Sequence, residues 1–324
     1  MSVHTYLITG AAGFIGYRFA ESCAARGIRA ILVDEPAYFA RRKEHGELAN
    51  ATLIDRAQLF SWLDQTRPAL DAIIHLGACA RTTETDVAFL QRNNVEYSQK
   101  LWNIARALKI PFVYASSAAT YGEGELGYED DDALTPKLKP LNPYGESKRL
   151  FDLWALEEEK QGRTPPAWSG FKFFNVYGFG ERHKEGMASV VLHAFDQIQA
   201  GGRVKLFKSH KSGIADGEQK RDFVLVDDVV EVLHFAVEKP IRRGIYNLGT
   251  GEARSFLALV RAVFVALDRD EKIDFVDTPV AIRDKYQYFT QAAMARLRAQ
   301  GYARPFTSLE EGVRRYVARL LGKS

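Results

Sequence analysis

Over the first two-thirds of the chain, short apolar runs alternate with longer amphipathic stretches. Residues 6–9, 30–33, 72–75, 112–115 and 171–174 are short, predominantly apolar runs, the pattern of strands buried on both faces. Between them, residues 14–26, 87–108 and 147–159 repeat apolar side chains at helical spacing. Such alternation predicts crossover units and a parallel sheet covered by helices. Ligands on sheets of this kind bind at the carboxyl ends of the strands, where the strand order reverses. Beyond residue 174 the pattern loosens. The segment 175–221 holds loop-like stretches rich in Gly, Lys and His around one helix at 189–200. Strands at 221–226 and 245–248 and helices at 229–237, 256–267 and 308–320 complete the expected elements.

Composition narrows the class. The 324 residues are 46% hydrophobic and 26% charged, ordinary values for a globular chain with a core. Lys and Arg exceed Asp and Glu by 44 − 41 = 3, an excess too small and too interspersed to imply a nucleic-acid partner. Cys23 and Cys79 make neither a disulfide framework nor a metal-ligand spacing. No run approaches the ~18 apolar residues of a membrane span, and the first residues lack a signal-peptide pattern. A cytoplasmic protein with no membrane partner is expected, and the acidic run at 129–132 reads as a solvated loop.

Thr9-Gly10-Ala11-Ala12-Gly13-Phe14-Ile15-Gly16 follows the first strand and opens the first helix. Gly10 permits a sharp turn, Gly13 a close backbone approach to a pyrophosphate, and Gly16 close helix–sheet packing. The helix N-terminus adds N–H donors and partial positive charge for the phosphates. The fold class expected is therefore α/β, a Rossmann-type doubly wound parallel sheet with a smaller mixed α/β substrate lobe. The dinucleotide-binding domain would comprise 1–174 with 219–247 and 278–295, and the substrate domain 175–218 with 248–277 and 296–324. Asp34 ends the second strand, where a carboxylate usually meets the adenosine ribose and favours NAD. Arg41, Arg42 and Lys43 lie just beyond, and one of them could pair with a 2′-phosphate; NADP and NAD both stay open.

Tyr144 and Lys148 are four residues apart and share one face of a helix, within about 6 Å. A phenol of pKa about 10 needs roughly 4 kcal/mol of preferential phenolate stabilisation to ionise near pH 7. One ammonium at ~4 Å in an effective dielectric of about 20 supplies that much. Ser116 and Ser117 end the strand at 112–115, where a hydroxyl can hydrogen-bond a reacting oxygen while the phenol moves its proton. Both serines are candidates, with Ser117 favoured for catalysis.

The Gly10–Gly16 turn, the strand-end serine and the Tyr144/Lys148 pair together resemble the extended short-chain dehydrogenase/reductase superfamily. Further segments narrow the match. They are His75-Leu76-Gly77-Ala78-Cys79, Tyr114-Ala115-Ser116-Ser117, Asn142-Pro143-Tyr144-Gly145, Phe173-Phe174-Asn175-Val176-Tyr177-Gly178, His183-Lys184, Met187-Ala188-Ser189-Val190, Arg221-Asp222-Phe223-Val224 and Tyr286-Gln287-Tyr288-Phe289-Thr290-Gln291. These run nearly end to end and resemble the ADP-L-glycero-D-manno-heptose 6-epimerase family, which makes the activated heptose of the lipopolysaccharide inner core. The resemblance implies a tightly bound NADP, oxidation of the heptose at C6 and return of the hydride to the opposite face. It implies Lys184 as a second base opposite Tyr144. It further implies that Phe14, Ile15, Asp34, Glu35, Leu76, Gly77, Ala78, Cys79 and Ala80 line the dinucleotide, with Asn93 and Val176 beside it and Arg41 near a 2′-phosphate. Lys148 and Lys184 would also touch the cofactor. Ser116, Asn175, Gly186, His193, Phe207, Lys208, Ser209, His210, Arg221 and Tyr286 would surround the ADP-sugar. A homo-oligomer, a pentamer, is implied as the assembly.

The chain departs from that pattern at Leu76, at Ala80-Arg81, at Phe179-Gly180-Glu181-Arg182 and in a long 208–218 loop. A 4-epimerase on the same scaffold would work with Tyr144 alone. A dehydratase would need an acidic pair after the strand-end serines, where Ala118 and Ala119 stand. A non-catalytic NAD(P)-binding regulator would have no use for Tyr144, Lys148 and the serine in register.

Overall fold

The structure, a computed structural model, describes residues 4–42, 48, 51–239, 241–283 and 287–323. The chain forms two compact units: Met1–Phe173 with Val229–Asn247 and Arg296–Tyr302, and Phe174–Asp228 with Leu248–Ala295 and Ala303–Ser324. Residues 219–228 and 278–295, assigned above to the dinucleotide domain, lie in the second unit, and 296–302 lie in the first.

The first unit is built on a seven-stranded sheet. Its strands are β1 (Thr5–Thr9), β2 (Arg29–Asp34), β3 (Ala51–Asp55), β4 (Ala72–His75), β5 (Phe112–Ser117) and β6 (Trp168–Phe173). After the second unit's β7 (Asn175–Tyr177), β8 (Val204–Phe207) and β9 (Lys220–Leu225) comes β10 (Gly244–Leu248), the sheet's last strand. The order is β10-β6-β5-β4-β1-β2-β3, with β1 pairing parallel to both β2 and β4. This is the Rossmann-type doubly wound arrangement, and its order reverses between β1 and β4. Four of five β1 residues and all of β4 are buried, as a sheet covered on both faces requires. A core on one face centres on Trp102, whose ring meets Phe112 and Trp154 edge-on at 5.7 Å.

Several elements differ from the sequence-based expectation. β3 and the flanking helices Pro36–Arg41 and Leu59–Thr66 were not anticipated. β3 is the sheet edge, half-exposed, and so lacks the continuous apolar run of its neighbours. The long helix at 87–108 is interrupted: a π-helical stretch, Gln91–Glu96, separates Val87–Leu90 from Tyr97–Leu108. The helix carrying Tyr144 starts earlier, at Pro143, with Asn142 as its cap. The acidic run is only partly a solvated loop. Asp130 is buried and accepts from the Asn247 amide at 2.9 Å, while Asp132 pairs with Arg296 at 2.7 Å.

In the second unit, β9 pairs parallel with β7 and antiparallel with β11 (Ala253–Ser255), and β8 pairs parallel with β12 (Ile273–Val276). Helices Val190–Gly201, Phe256–Ala266 and Leu309–Leu320 enclose a core that includes Leu192, Phe195, Leu259, Val263, Val313 and Tyr316. Serines 189, 255 and 308 cap those three helices through their side chains. Gly312 sits inside the last of them, and a Cβ there would lie 2.0 Å from the Tyr177 hydroxyl. Alanine in a helix interior normally stabilises by about 1 kcal/mol over glycine. Here the sign reverses: Gly312→Ala should lower stability in urea unfolding, and adding Tyr177→Phe should recover most of the loss.

Candidate active site

The first unit gathers the glycine-rich turn at the carboxyl end of β1. Gly10 has φ +66°, and a Cβ on it would stand 2.6 Å from the backbone of Gly77, so the turns after β1 and β4 touch only because both residues lack side chains. A Cβ on Gly16 would lie 2.1 Å from the Gly10 carbonyl oxygen, which fixes how closely the helix Phe14–Ala25 approaches the turn. No side chain caps that helix at Gly13. Phe14 is buried and Ile15 half-buried. Asp34 accepts from the Ala12 amide (3.0 Å) through one oxygen and from the Glu35 amide (2.9 Å) through the other. Burial nevertheless holds its carboxyl above the ordinary value, against those two bonds. Glu35 lies 3.8 Å from Arg56. Arg41 is exposed. Arg42 is half-buried, interacts with the Asp34 charge, and its buried Nη1 has no hydrogen-bond partner among the described residues.

A chain of hydrogen bonds links this turn to the helix Pro143–Lys160. His75 is buried with Nδ1 2.6 Å from Thr9 Oγ1 and Nε2 2.8 Å from Ser98 Oγ. Ser98 donates its proton to the Asn94 carbonyl at 2.6 Å, so the imidazole carries its own proton on Nε2 and accepts from Thr9 at Nδ1. Burial pulls the His75 pKa down to about 3, which keeps the ring neutral. Thr9 Oγ1 also accepts from the Gly77 amide at 3.2 Å. Asn94 accepts from the Cys79 amide at 2.8 Å, donates to the Cys79 carbonyl at 3.0 Å, and donates to Ser147 Oγ at 2.9 Å. Ser147 in turn donates to the Tyr144 carbonyl at 2.7 Å. The loop of half-buried Leu76, Gly77, Ala78 and Cys79 and exposed Ala80 is thereby fixed against the Tyr144 helix.

Asn94, not Asn93, does this knitting, and the sequence reading missed it. Asn93 donates to the Phe89 carbonyl at 2.8 Å and accepts from Arg56. The mark of this position is the π-helical interruption, which the structure shows and the residue pattern does not, since π-turns concentrate at functional sites.

Tyr144, Lys148 and Asp152 fall on one helical face, all buried. Ser117 acts on the Tyr144 phenol, favouring its ionised form, and its hydroxyl accepts from the Ala119 amide at 3.1 Å. Ser116 instead donates to Asp152 at 2.7 Å, beside Tyr114, which donates to the other carboxylate oxygen at 2.9 Å. The electrostatic tuning expected of Lys148 takes a different form. Its ammonium donates to the Ala115 carbonyl at 2.9 Å, and burial pulls its pKa down to about 8. Burial likewise raises the Tyr144 phenol above its ordinary value, with Ser117 as the opposing influence. For Lys148 desolvation outweighs the attraction of the Asp152 charge, whereas for Tyr144 the Asp152 charge adds to the desolvation. Asp152 supports the Lys148 ammonium, and a second buried amine, Lys172, lies over the Tyr121 ring at 4.3 Å.

The second unit holds the other candidates. Lys184 lies in the 3₁₀ stretch Arg182–Met187, 3.7 Å from Glu181. Asn175 is exposed and Val176 half-buried on β7, His193 is half-buried, and a Cβ on Gly186 would meet open space. The segments 207–210, 220–221, 276–278 and 287–289 come together. Lys208 N donates to Val276 O (2.8 Å), Thr278 Oγ1 to Lys208 O (3.2 Å) and Thr278 N to His210 Nε2 (3.2 Å); His210 N donates to Tyr288 Oη (3.0 Å). Phe207 ends β8, and Ser209 N donates to Asp216 at 2.7 Å. The Arg221 guanidinium, expected beside the ADP-sugar, donates to the backbone carbonyls of Lys220 and Gln287 and lies over the Phe256 ring at 5.7 Å. Tyr286 lies outside the described residues.

Residues 6–249 match the NAD dependent epimerase/dehydratase family. The chain belongs to that family and is an epimerase; its nucleotide site serves a nicotinamide cofactor. It is 44% identical, over 98% of each chain, to the ADP-L-glycero-D-manno-heptose-6-epimerase of Fusobacterium nucleatum. The crystal structure of the Helicobacter pylori enzyme of that name superposes with a TM-score of 0.81 at 26% identity, covering 98% of this chain and 96% of that one. The Thermus thermophilus UDP-glucose 4-epimerase in complex with NAD gives 0.78 at 25% identity, over 99% and 100%.

The site predicts a pH dependence. Lys148 loses its proton as pH rises through about 8, so activity that needs its ammonium falls above that value. Asp152→Asn removes the carboxylate that favours the ammonium, so the alkaline limb of the kcat/KM profile should move to lower pH. An unmoved limb would show that Asp152 does not act on Lys148.

Proposed function

We propose that this epimerase inverts C6 of ADP-D-glycero-D-manno-heptose, with NADP, to give ADP-L-glycero-D-manno-heptose for lipopolysaccharide inner-core synthesis. Near full-length identity to relatives of that name supports the substrate. The observation that carries the chemistry is the buried pair Tyr144 and Lys148 on one helical face, with Ser117 at the end of β5 acting on the Tyr144 phenol.

The described residues fit a dinucleotide. The Gly10–Gly16 turn would hold the pyrophosphate, and its tolerance of a backbone contact depends on the missing Cβ atoms. NADP is favoured over NAD by two features. Both Asp34 oxygens already accept backbone amides, and Arg42 presents a buried, unpartnered Nη1 beside that carboxylate. A 2′-phosphate would supply the missing acceptor. Arg42 takes the place that the resemblance implied for Arg41.

A bound nicotinamide would supply reversible hydride transfer at C6, by which the heptose could be oxidised to a 6-ketone and reduced again. Tyr144 accepts the C6 hydroxyl proton, and Ser117 hydrogen-bonds the reacting oxygen. Lys148 supplies positive charge near the strand end from its anchor on Ala115. Inversion then needs the ketone to turn so that the hydride returns to its opposite face, and Lys184 donates the proton that the C6 oxygen takes up.

Purified protein incubated with ADP-D-glycero-D-manno-heptose should convert it, read as a change of C6 configuration by NMR, and the released cofactor should have the mass of NADP. Tyr144→Phe and Lys184→Met should each slow turnover by about a hundredfold or more. Normal turnover in Lys184→Met would remove the second base and favour a 4-epimerase-like mechanism; no conversion by wild type would refute the substrate.

A further inference from the structure

Glu181 is fully buried, at 0% exposure, in the second unit. One carboxylate oxygen accepts from the Gly178 amide (3.4 Å) and the Ser189 hydroxyl (2.5 Å). The other accepts from the Ser189 amide (2.8 Å) and stands 3.7 Å from Lys184 Nζ. Ser189 caps the helix Val190–Gly201, and the Lys184 amide donates back to the Glu181 carbonyl at 2.9 Å. Residues 178 to 189 are thus folded around a single carboxylate.

That arrangement has a cost that needs an explanation. An ionised carboxylate out of water is expensive unless paired, and three neutral donors satisfy its lone pairs without cancelling its charge. The Lys184 ammonium, its side chain 31% exposed, supplies the opposite charge. A lysine left to solvent samples many rotamers, and holding its amine in one place needs such an anchor. The next residue, Glu185, has φ +47° and ψ −123°, a conformation that side chains rarely adopt and that persists where surrounding contacts impose it.

We propose that Glu181 is a positioning residue: its buried carboxylate anchors the Lys184 ammonium and shapes the 182–188 loop, so that the amine is presented to substrate from one position. The proposal rests on the reading of Lys184 as the second base.

Glu181→Gln keeps the size and an acceptor for Ser189 but removes the charge. Measured in the holoenzyme, kcat should fall by about ten- to a hundredfold with KM nearly unchanged. Glu181→Gln combined with Lys184→Met should be no slower than Lys184→Met alone. Ser189→Ala removes the cap and leaves the charge pair, and should stay within about twofold of wild-type turnover. A slow Lys184→Met beside a Glu181→Gln of normal kcat overturns the positioning role alone, and so does a Ser189→Ala that reproduces the Glu181→Gln loss. Normal turnover in Lys184→Met overturns the second-base reading and this proposal with it. Should Glu181→Gln fail to fold by circular dichroism, Glu181→Asp retracts the charge by one methylene: reduced kcat at unchanged KM in that variant sustains the role, and wild-type kcat overturns it.

Discussion

The hydrogen-bond chain from Thr9 through His75, Ser98, Asn94 and Ser147 to the Tyr144 carbonyl joins three parts of the sequence that lie far apart. It connects the ends of β1 and β4 to the first turns of the helix that carries the phenol and the amine. Each bond contributes about 1 kcal/mol net, but a buried group left unpaired costs more than that. The network therefore works mainly by penalising every other arrangement of the 76–80 loop. The close contact of Gly10 with Gly77 sets the same geometry from the backbone side. Together they place the glycine-rich turn and the Tyr144 helix in fixed relation within one unit.

Buried charge governs the chemistry of that unit. Lys148, Asp152 and Lys172 are all withdrawn from water, and burial shifts each toward its neutral form. Asp152 and the two amines oppose that shift for one another. A simple Coulomb argument from the Tyr144/Lys148 spacing assigns all the tuning to one ammonium. In the structure burial and the Asp152 charge raise the Tyr144 phenol, Ser117 opposes them, and the Lys148 ammonium is anchored on the Ala115 carbonyl.

The parts of the fold that were legible in the sequence are those whose physics is local. Buried parallel strands read as short, predominantly apolar runs, so β1, β2, β4, β5 and the end of β6 were visible, whereas edge strand β3 was not. The glycine turn announces itself because only glycine fits φ +66° against a neighbouring backbone. Choices between adjacent residues were less legible. Arg41 and Arg42, or Asn93 and Asn94, differ by about 100° around a helix, and only the packing of the helix decides which one faces inward. Ser116 and Ser117 point to opposite faces of a strand, and the Asp152 carboxylate beneath one face takes the first of them. The engagement of Arg221 with backbone carbonyls depends on long-range neighbours that spacing does not reveal.

The most direct test of the oxidation-and-return account follows the hydrogen at C6. With substrate deuterated at that carbon and turned over in ordinary water, the inverted product should keep its full deuterium content at C6. Replacement of that deuterium by solvent hydrogen would contradict the account, because it would mean that the centre inverts by losing a proton to water instead of by shuttling a hydride within the site.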